Sequence, residues 1–241
     1  MPEFDDKQTA RDSVWERLRA EKQARFPFPI KGRIPNFAGA KQAAERLLDH
    51  PIFDGVTRIK CNPDSPQKPL RRMALERGIT VYVPTPRLKG GFMRFDPQEI
   101  PEDKFGEASA LSKWDRWKQD VALDEMPQLD LIVTGCVAVT QDGRRAGKGE
   151  GYSDLEFGIL QELGHQRVPV VTTVHELQVV DGFPIDAHDI GLSVIATPDR
   201  TIDIDDPPQP TGGIDWAQLD EKALAEMPVL KRLREMGEER E

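Results

Sequence analysis

Apolar residues along the chain follow two spacings, which divide it into predicted helices and strands. Helical spacing, with apolar residues three or four positions apart, predicts helices over 9–23, 38–48, 67–77 and 154–163, with Thr9 as the cap of the first. Short runs rich in β-branched residues predict strands over 56–61, 79–83, 129–134, 168–174 and 192–196, the last strand of the sheet. The near-continuous Val/Thr run at 168–174 predicts a strand buried on both faces. Strands that alternate with helices are typical of βαβ units and a parallel sheet. We therefore predict an α/β fold.

The composition changes near the C-terminal end of these predicted elements. Residues 205–213 are rich in proline, glycine and acidic residues, a composition typical of linkers. Apolar residues at helical spacing follow as far as Met236, and Pro228 is expected to bend or break that helix. We predict a sheet domain over 1–204, a linker over 205–213 and a helical tail over 214–241.

Composition and charge narrow the class of protein. Hydrophobic residues make up 38% of the 241 positions and charged residues 31%, as in ordinary globular proteins. A formal net charge of -9 disfavours a general binder of nucleic acids or anionic membranes. Cys61 and Cys136 lie outside any C-x-x-C pattern, so we expect buried thiols. Because no signal peptide or membrane span is recognisable, we expect a cytoplasmic protein.

One glycine-rich and cationic stretch, 141–154, lies between a predicted strand and a predicted helix. Its four glycines let backbone amides approach a polyphosphate, and its three cations can neutralise the charge. Asp154, at the start of the helix, is placed to hold a magnesium ion. Asp142-Gly143 is also a strong hairpin signal, and neither G-x-x-x-x-G-K-[ST] nor G-x-G-x-x-G occurs. From its residues alone, this stretch could be either a phosphate-binding site or a plain turn.

Two cations near the N-terminal end of the sequence are a second candidate. Lys7 and Arg11 are four positions apart, which places them one helical turn apart and allows both to meet one anion. The alternative is that they are solvated charges that balance neighbouring aspartates. Their spacing does not distinguish the two interpretations.

Loops that follow the predicted strands carry further candidates, because ligands of open α/β sheets bind at the carboxyl ends of strands. Asn62–Gln67 and Thr85–Gly91 are such loops, and each is equally explained as a turn. His175 and Glu176 are interpreted as polar lining of the pocket edge, since adjacent strand residues face opposite ways. Asp189 lies in a loop whose carboxylates suit either a metal ion or a turn.

The stretch Arg145-x-Gly147-Lys148-Gly149-x-Gly151-Tyr152-x-Asp154 resembles the R-x-G-[RK]-G-x-G-Y-Y-D signature of the 5-formyltetrahydrofolate cyclo-ligases, also called methenyltetrahydrofolate synthetases. Lys7-x-x-x-Arg11 resembles the N-terminal part of that family, and the resemblance covers residues 5–200. Further segments resemble the divergent branch of methenyltetrahydrofolate synthetase domain-containing proteins: Arg33-Ile34-Pro35-Asn36-Phe37, Asn62-Pro63-Asp64 and Pro84-Thr85-Pro86-Arg87-Leu88.

The resemblance implies a three-layer α/β sandwich around a mostly parallel sheet, NagB/RpiA/CoA-transferase-like as in sugar-phosphate isomerases. It also implies closure of 5-formyltetrahydrofolate to 5,10-methenyltetrahydrofolate with ATP and Mg²⁺. The residues matched to ATP contacts are Lys7, Arg11, Arg145, Gly147, Lys148, Gly149, Gly151 and Tyr152. Arg145 and Lys148 are also matched to catalysis, Asp154 and Asp189 to magnesium, and Asp64, Gln67 and Ser153 to the substrate.

Three positions depart from the family pattern on the folate side. Gln67 replaces a glutamate that holds the pterin ring, Ser153 replaces a tyrosine, and Glu150 replaces a basic residue. An amide loses the charge-assisted contact that a carboxylate would make. Two alternatives therefore stay open: an enzyme of the same fold that uses ATP on a different small molecule, for example a thiamine-related one, and a non-catalytic nucleotide- or RNA-associated binding protein. The partner expected first is a reduced folate.

Overall fold

The runs of β-branched and aliphatic residues form the strands of a central sheet. The computed structural model describes residues 3–210, 214, 216 and 227–238. Its strands are β1 (Ala24–Arg25), β2 (Asn36–Phe37), β3 (Arg58–Cys61), β4 (Thr80–Pro84), β5 (Phe92–Phe95), β6 (Gln119–Val121), β7 (Leu131–Val133), β8 (Ala138–Thr140), β9 (Arg145–Ala146), β10 (Val170–Thr173), β11 (Val179–Val180), β12 (Val194–Ala196) and β13 (Thr201–Asp203).

Eight strands form the central sheet, in the order β13-β12-β10-β7-β3-β4-β5-β6. Neighbouring strands from β12 to β4 are parallel; Ile59 of β3, for example, lies opposite Val81 and Leu131. At the edges β13, β5 and β6 run antiparallel. The predicted mostly parallel sheet is confirmed. The prediction that the strand at 192–196 is the last one is wrong, because the chain turns back and pairs again as β13.

The helices are α1 (Lys7–Ala20), α2 (Ala40–Leu48), α3 (Lys68–Glu76), α4 (Phe105–Ala108), α5 (Tyr152–Glu162) and α6 (Pro228–Glu238). The helices pack on both faces of the sheet. Successive residues of a strand point to opposite faces, so each buried strand offers apolar side chains to both helical layers. In β7, Leu131 and Val133 pack into the core with α2 and α3, whereas Ile132 packs into the core with α5 and α6. The three-layer arrangement is therefore confirmed.

Local caps explain why two helices begin earlier than the sequence predicted. The Asp6 side chain accepts a hydrogen bond of 2.7 Å from the backbone N–H of Thr9, so α1 begins at Lys7 and the predicted Thr9 cap is wrong. Gly151, with a φ of 70°, directly precedes α5. Since α5 begins at Tyr152, Asp154 lies within the first helical turn, where a carboxylate is favoured by the helix dipole.

A small sheet of β11, β8 and β9 lies beside α1 and carries the glycine-rich stretch. β8 and β9 form an antiparallel hairpin in which Val139 lies opposite Arg145. At its turn, Gly143 has a φ of 87°, and a Cβ there would lie 2.7 Å from the carbonyl oxygen of Leu192. The hairpin interpretation of Asp142-Gly143 is confirmed, and it accounts for only the first part of the stretch.

The segment after β13 returns to the sheet domain. A Cβ on Gly191 would lie 2.2 Å from the carbonyl oxygen of Pro208, so the two backbones are in close contact, and Pro210 is buried. Residues 211–213 of the predicted linker lie outside the described residues, and the domain boundary at 204 stays a prediction. None of the helices in the described ranges is long and apolar enough to cross a membrane.

The C-terminal helix α6 packs on the same core as α5. Its buried residues are Val229, Leu230, Leu233 and Met236, and Ile214 and Met227 join that core. Pro228 stands at the first position of α6, where its missing N–H costs no hydrogen bond. The part of the predicted tail helix over 217–226 lies outside the described residues.

We predict that Leu230→Ala destabilises the protein strongly, because Leu230 is fully buried under α5. The free energy of unfolding should fall by about 2–5 kcal/mol, as for other leucines removed from packed cores. The matched control is Lys231→Ala, at an exposed position of the same helix. Denaturant unfolding measures both variants, and equal stability of the two would show that α6 contributes little to the core.

Candidate functional site

A cavity of about 600 Å³ opens at the carboxyl ends of β3 and β4, where open α/β sheets bind ligands. The loop after β3 supplies Asn62 and Asp64, and the loop after β4 supplies Thr85. The segment from Arg145 to Asp154 forms the opposite wall, and α1 closes the side. Six segments that are distant in sequence therefore meet in one place, together with Pro27 and Leu111: 7–11, 33–34, 62–65, 84–88, 145–156 and 186–189.

Glycines in the wall are required by the backbone and by close contacts. Gly149 has a φ of 100°, and a Cβ there would lie 3.6 Å from a guanidinium nitrogen of Arg11. A Cβ on Gly147 would lie 2.9 Å from Nη2 of Arg145. The positive φ disfavours a side chain at Gly149, and the short distance disfavours one at Gly147, so the backbone of the loop lies close to both arginines.

The cavity brings together the four cations that the sequence marked. The Nε of Arg11 donates a hydrogen bond of 2.7 Å to the carbonyl oxygen of Gly147. Lys148 is paired with Glu150 at 2.7 Å, and Lys7 is paired with Asp186 at 2.6 Å. Burial and the nearby Arg145 lower the pKa of Arg11. An anion in this cavity would relieve the repulsion between the two guanidinium groups.

Asp154 and Asp189 both face this cationic group. The Oδ1 atom of Asp154 accepts a hydrogen bond of 2.7 Å from Nη1 of Arg145, and Asp189 is paired with Lys7. Burial lowers the pKa of Arg145, but Asp154, Cys136 and Asp189 together outweigh that effect, so the net shift is upward. The buried Nε of Arg145 has no hydrogen-bond partner among the described residues. That donor suits an acceptor supplied by a ligand.

The carboxylate oxygens of Asp154 and Asp189 are suitable ligands for a hard divalent cation such as Mg²⁺. Within the described ranges, no group of three or more His, Cys, Asp or Glu side chains could hold a metal ion by itself. Mg²⁺ is usually bound by one or two carboxylates together with water and phosphate oxygens rather than by a full protein cage. Two carboxylates beside an anion-binding wall match that requirement.

The residues predicted to contact a substrate divide into two groups. Asp64 and Ser153 line the cavity. Burial raises the pKa of Asp64, and Lys148 and Arg71 counteract that shift. Gln67 is fully buried and points towards Thr173, with 3.5 Å between its Nε2 atom and the threonine hydroxyl. Because Gln67 does not reach the cavity wall, its predicted contact with a substrate has no support.

The sequence reasoning missed a polar cluster in the floor of the cavity. Glu156 of α5 and Lys60 of β3 form a buried ion pair, and Asn62 donates a 3.2 Å hydrogen bond to the same carboxylate oxygen. Lys60 interrupts the apolar run of β3, and Glu156 precedes the buried run Phe157–Leu160. Charged residues are almost never fully buried unless they are paired. A charged residue within an apolar run was therefore the sequence signal that could have identified Lys60 and Glu156.

Two other predictions concern residues outside the cavity. The Nδ1 atom of His175 accepts a hydrogen bond from the backbone N–H of Leu177, and Glu176 binds Thr197 and Arg200. Neither residue lines the cavity, so the prediction of pocket lining is wrong; both side chains serve a local turn. The prediction of two buried, free cysteines is confirmed, and burial raises the pKa of Cys61 to about 11.

Comparisons with known proteins agree on one family. A sequence profile described as the 5-formyltetrahydrofolate cyclo-ligase family matches residues 3–198. The chain is 39% identical over 241 residues to a methenyltetrahydrofolate synthase domain-containing protein of Bos taurus, covering 97% of this chain and 63% of that protein. It is 28% identical over 171 residues to the 5-formyltetrahydrofolate cyclo-ligase of Escherichia coli strain K12, covering 66% and 88%. The chain therefore spans less than two thirds of the bovine relative.

Among solved structures, the 5,10-methenyltetrahydrofolate synthetase of Aquifex aeolicus is similar to this chain. The TM-score is 0.53 at 18% sequence identity, and the match covers 84% of this chain and 95% of that one. At this identity the likeness concerns the fold, and it agrees with the three-layer arrangement around the central sheet.

Proposed function

Because the chain belongs to the 5-formyltetrahydrofolate cyclo-ligase family, we propose that it closes 5-formyltetrahydrofolate to 5,10-methenyltetrahydrofolate with ATP and Mg²⁺. The observation that carries this proposal is the convergence of Lys7, Arg11 and Arg145 with the glycine wall and two carboxylates in one cavity. Phosphoryl transfer needs that combination, since catalysis rests on positioning and on neutralising charge.

The reaction transfers the formyl oxygen to phosphate. The formyl oxygen bonds to the γ-phosphorus of ATP while the bond to ADP breaks. The folate N10 then attacks the activated carbon, N10 loses its proton, and the carbon–oxygen bond breaks to release phosphate. Atoms and electrons balance without an oxidant or a reductant, so the protein has to supply only binding and charge.

In this proposal the cations of the cavity hold the triphosphate. Arg11 and Arg145 both line the cavity and repel each other, and the negative charge of the γ-phosphoryl group would stabilise both. Lys148 and the amides of Gly147, Gly149 and Gly151 would contact the remaining oxygens, with Tyr152 beside them. A magnesium ion, held by Asp154 and Asp189, would neutralise further phosphate charge.

A second candidate is an ATP-dependent enzyme of this fold that acts on a different small molecule. Two observations favour it: Gln67 is buried and does not line the cavity, and Glu150 pairs with Lys148 where the family has a basic residue. The first concerns the substrate side alone, and the second leaves Lys7, Arg11 and Arg145 of the phosphate side without a change of partner. The two candidates therefore share their predictions for ATP and differ in those for folate.

We predict that the double substitution Lys7→Ala with Arg11→Ala weakens ATP binding, because it removes two cations from the cavity. The Kd for ATP should rise at least about tenfold, as expected when charged hydrogen bonds are lost. The free energy of unfolding should change by less than about 1 kcal/mol, because neither side chain belongs to the core.

Arg19→Ala is the matched control for that double substitution, since Arg19 is an exposed arginine of the same helix. Isothermal titration with ATP measures both variants. Equal ATP affinity in the double variant and the wild type would show that Lys7 and Arg11 only balance surface charge.

The proposed reaction is tested with 5-formyltetrahydrofolate that carries ¹⁸O in its formyl group. Mass spectrometry of the released phosphate should find the label there, because the formyl oxygen becomes a phosphate oxygen. Unlabelled phosphate formed from ATP in the presence of this substrate would show that water, rather than the formyl group, attacks ATP.

A further inference from the structure

The carboxylate of Glu156 lies at the floor of the cavity, where hydrogen bonds from neighbouring side chains fix its position. Glu156 lies one helical turn after Tyr152 and Ser153 on α5, so the three share the face that lines the cavity. The ammonium of Lys60 and the amide of Asn62 both meet Oε2 of Glu156. Asn62 is itself fixed, because its Oδ1 accepts hydrogen bonds from Lys60 and from the backbone N–H of Gly135.

This arrangement leaves one carboxylate oxygen for a ligand. Only 4% of the Glu156 side chain is exposed, yet the residue lines the cavity. Its Oε1 atom receives no hydrogen bond from the described residues, while Oε2 is engaged by Lys60 and Asn62. A carboxylate oxygen at the cavity surface that has no protein donor takes its hydrogen bonds from water or from a bound molecule.

The buried ion pair between Lys60 and Glu156 is poorly explained by its contribution to the stability of the fold alone. Removing two charges from water costs several kcal/mol per ion, and apolar residues of similar volume are often equally stable or more so. Lys60 and Glu156 are 1% and 3% exposed. The pair is therefore better explained by a ligand that it orients than by the stability of the fold.

A second carboxyl group, that of Asp64, lies close enough to Glu156 for the two to interact electrostatically, and it lines the same floor. Two neighbouring carboxyl groups favour a ligand edge that presents N–H donors and disfavour one that presents carbonyl oxygens. An amino group beside a ring N–H is such an edge, because each carboxyl group can accept from one of the two donors.

We infer that Glu156, positioned by Lys60 and Asn62, is the residue that selects the substrate by accepting a hydrogen bond from the amino edge of a nitrogen heterocycle. The inference rests on the proposed function, since the pterin ring of 5-formyltetrahydrofolate has this amino edge. In this chain Glu156 takes the contact for which the buried Gln67 is not placed.

The test compares two rings that differ in the group facing the floor. Pterin carries an amino group, and lumazine carries an oxo group at the same ring position. Ligand-observed NMR titrations should show that the wild type binds pterin at least about tenfold more tightly than lumazine, as expected for one charged hydrogen bond. Glu156→Gln should lose this preference, and Glu162→Gln, an exposed position of the same helix, should keep it.

A second variant covers the case in which Glu156→Gln fails to fold because Lys60 is left without its counter-ion. Lys60→Met combined with Glu156→Gln removes both charges and should also lose the preference, with folding checked by thermal unfolding. Equal binding of the two rings by the wild type, or an intact preference in either variant, would overturn the role of Glu156.

Failure of the proposed function is distinguishable from failure of this inference. A wild type that prefers pterin but forms no methenyl product would contradict the reaction and support the role of Glu156. A wild type that forms methenyl product while Glu156→Gln keeps its KM for 5-formyltetrahydrofolate would support the reaction and overturn the role of Glu156.

Discussion

Arg145→Met is expected to lower kcat/KM for methenyl formation by about 100-fold or more, as when a preorganised donor to a developing charge is removed. Arg145 is 4% exposed, lines the cavity and has a buried Nε without a partner among the described residues. Methionine keeps much of the volume and loses all the donors. The measurement is steady-state kinetics with ATP and 5-formyltetrahydrofolate varied in turn.

The matched control for Arg145→Met is the neighbouring arginine of the same hairpin. Arg144 donates to the carbonyl oxygen of Phe183 and pairs with Asp142, away from the cavity, so Arg144→Met should keep near wild-type kinetics. Arg145→Lys should fall between the two, because lysine keeps the charge but not the planar set of donors. Equal activity of Arg144→Met and Arg145→Met would contradict the assignment of Arg145.

Asp154→Asn is expected to raise the Mg²⁺ concentration needed for half-maximal activity by about tenfold or more, because a carboxylate ligand becomes a neutral amide. The amide oxygen can still accept from Nη1 of Arg145, so the local hydrogen bond is kept. Titration of MgCl₂ at fixed ATP measures the effect. High Mg²⁺ should restore part of the lost rate.

Asp142→Asn is the control for that substitution. Asp142 lies in the hairpin turn, where it binds Thr140 and Arg144, so its variant should keep the wild-type magnesium dependence. If Asp154→Asn also kept that dependence, Asp154 would act only as the partner of Arg145. The magnesium site would then have to lie elsewhere.

The fold was predictable from the sequence wherever local pattern and burial agree. The Val/Thr run at 168–174 predicted a strand buried on both faces, and β10 is such a strand. The five apolar positions of α2 are all buried. The start of α1 was missed because Asp6 and Thr9 are both good caps, and only the folded chain shows which one accepts the hydrogen bond. The edge strand β13 is only three residues long, and its two β-branched residues, Thr201 and Ile202, are too short a run to predict a strand.

The residues of the proposed phosphate side could be grouped from the sequence more easily than those of the cavity floor, because they lie closer together along the chain. Arg145, Lys148 and Asp154 lie in one stretch with glycines, so composition marked them together. Lys7 and Arg11 could be interpreted in two ways until α1 was placed against Gly147, which Arg11 contacts at 2.7 Å. Lys60 and Glu156 are 96 positions apart in the sequence, and no local pattern joins them.

The most direct measurement of the central claim is made with the purified chain, Mg-ATP and 5-formyltetrahydrofolate. The absorbance of the methenyl product and the release of phosphate are followed in the same sample. The proposed function predicts that both appear in equal amounts and that both are lost in Arg145→Met. Binding of ATP without any methenyl product from 5-formyltetrahydrofolate would contradict it, and would show that this cavity serves a different substrate.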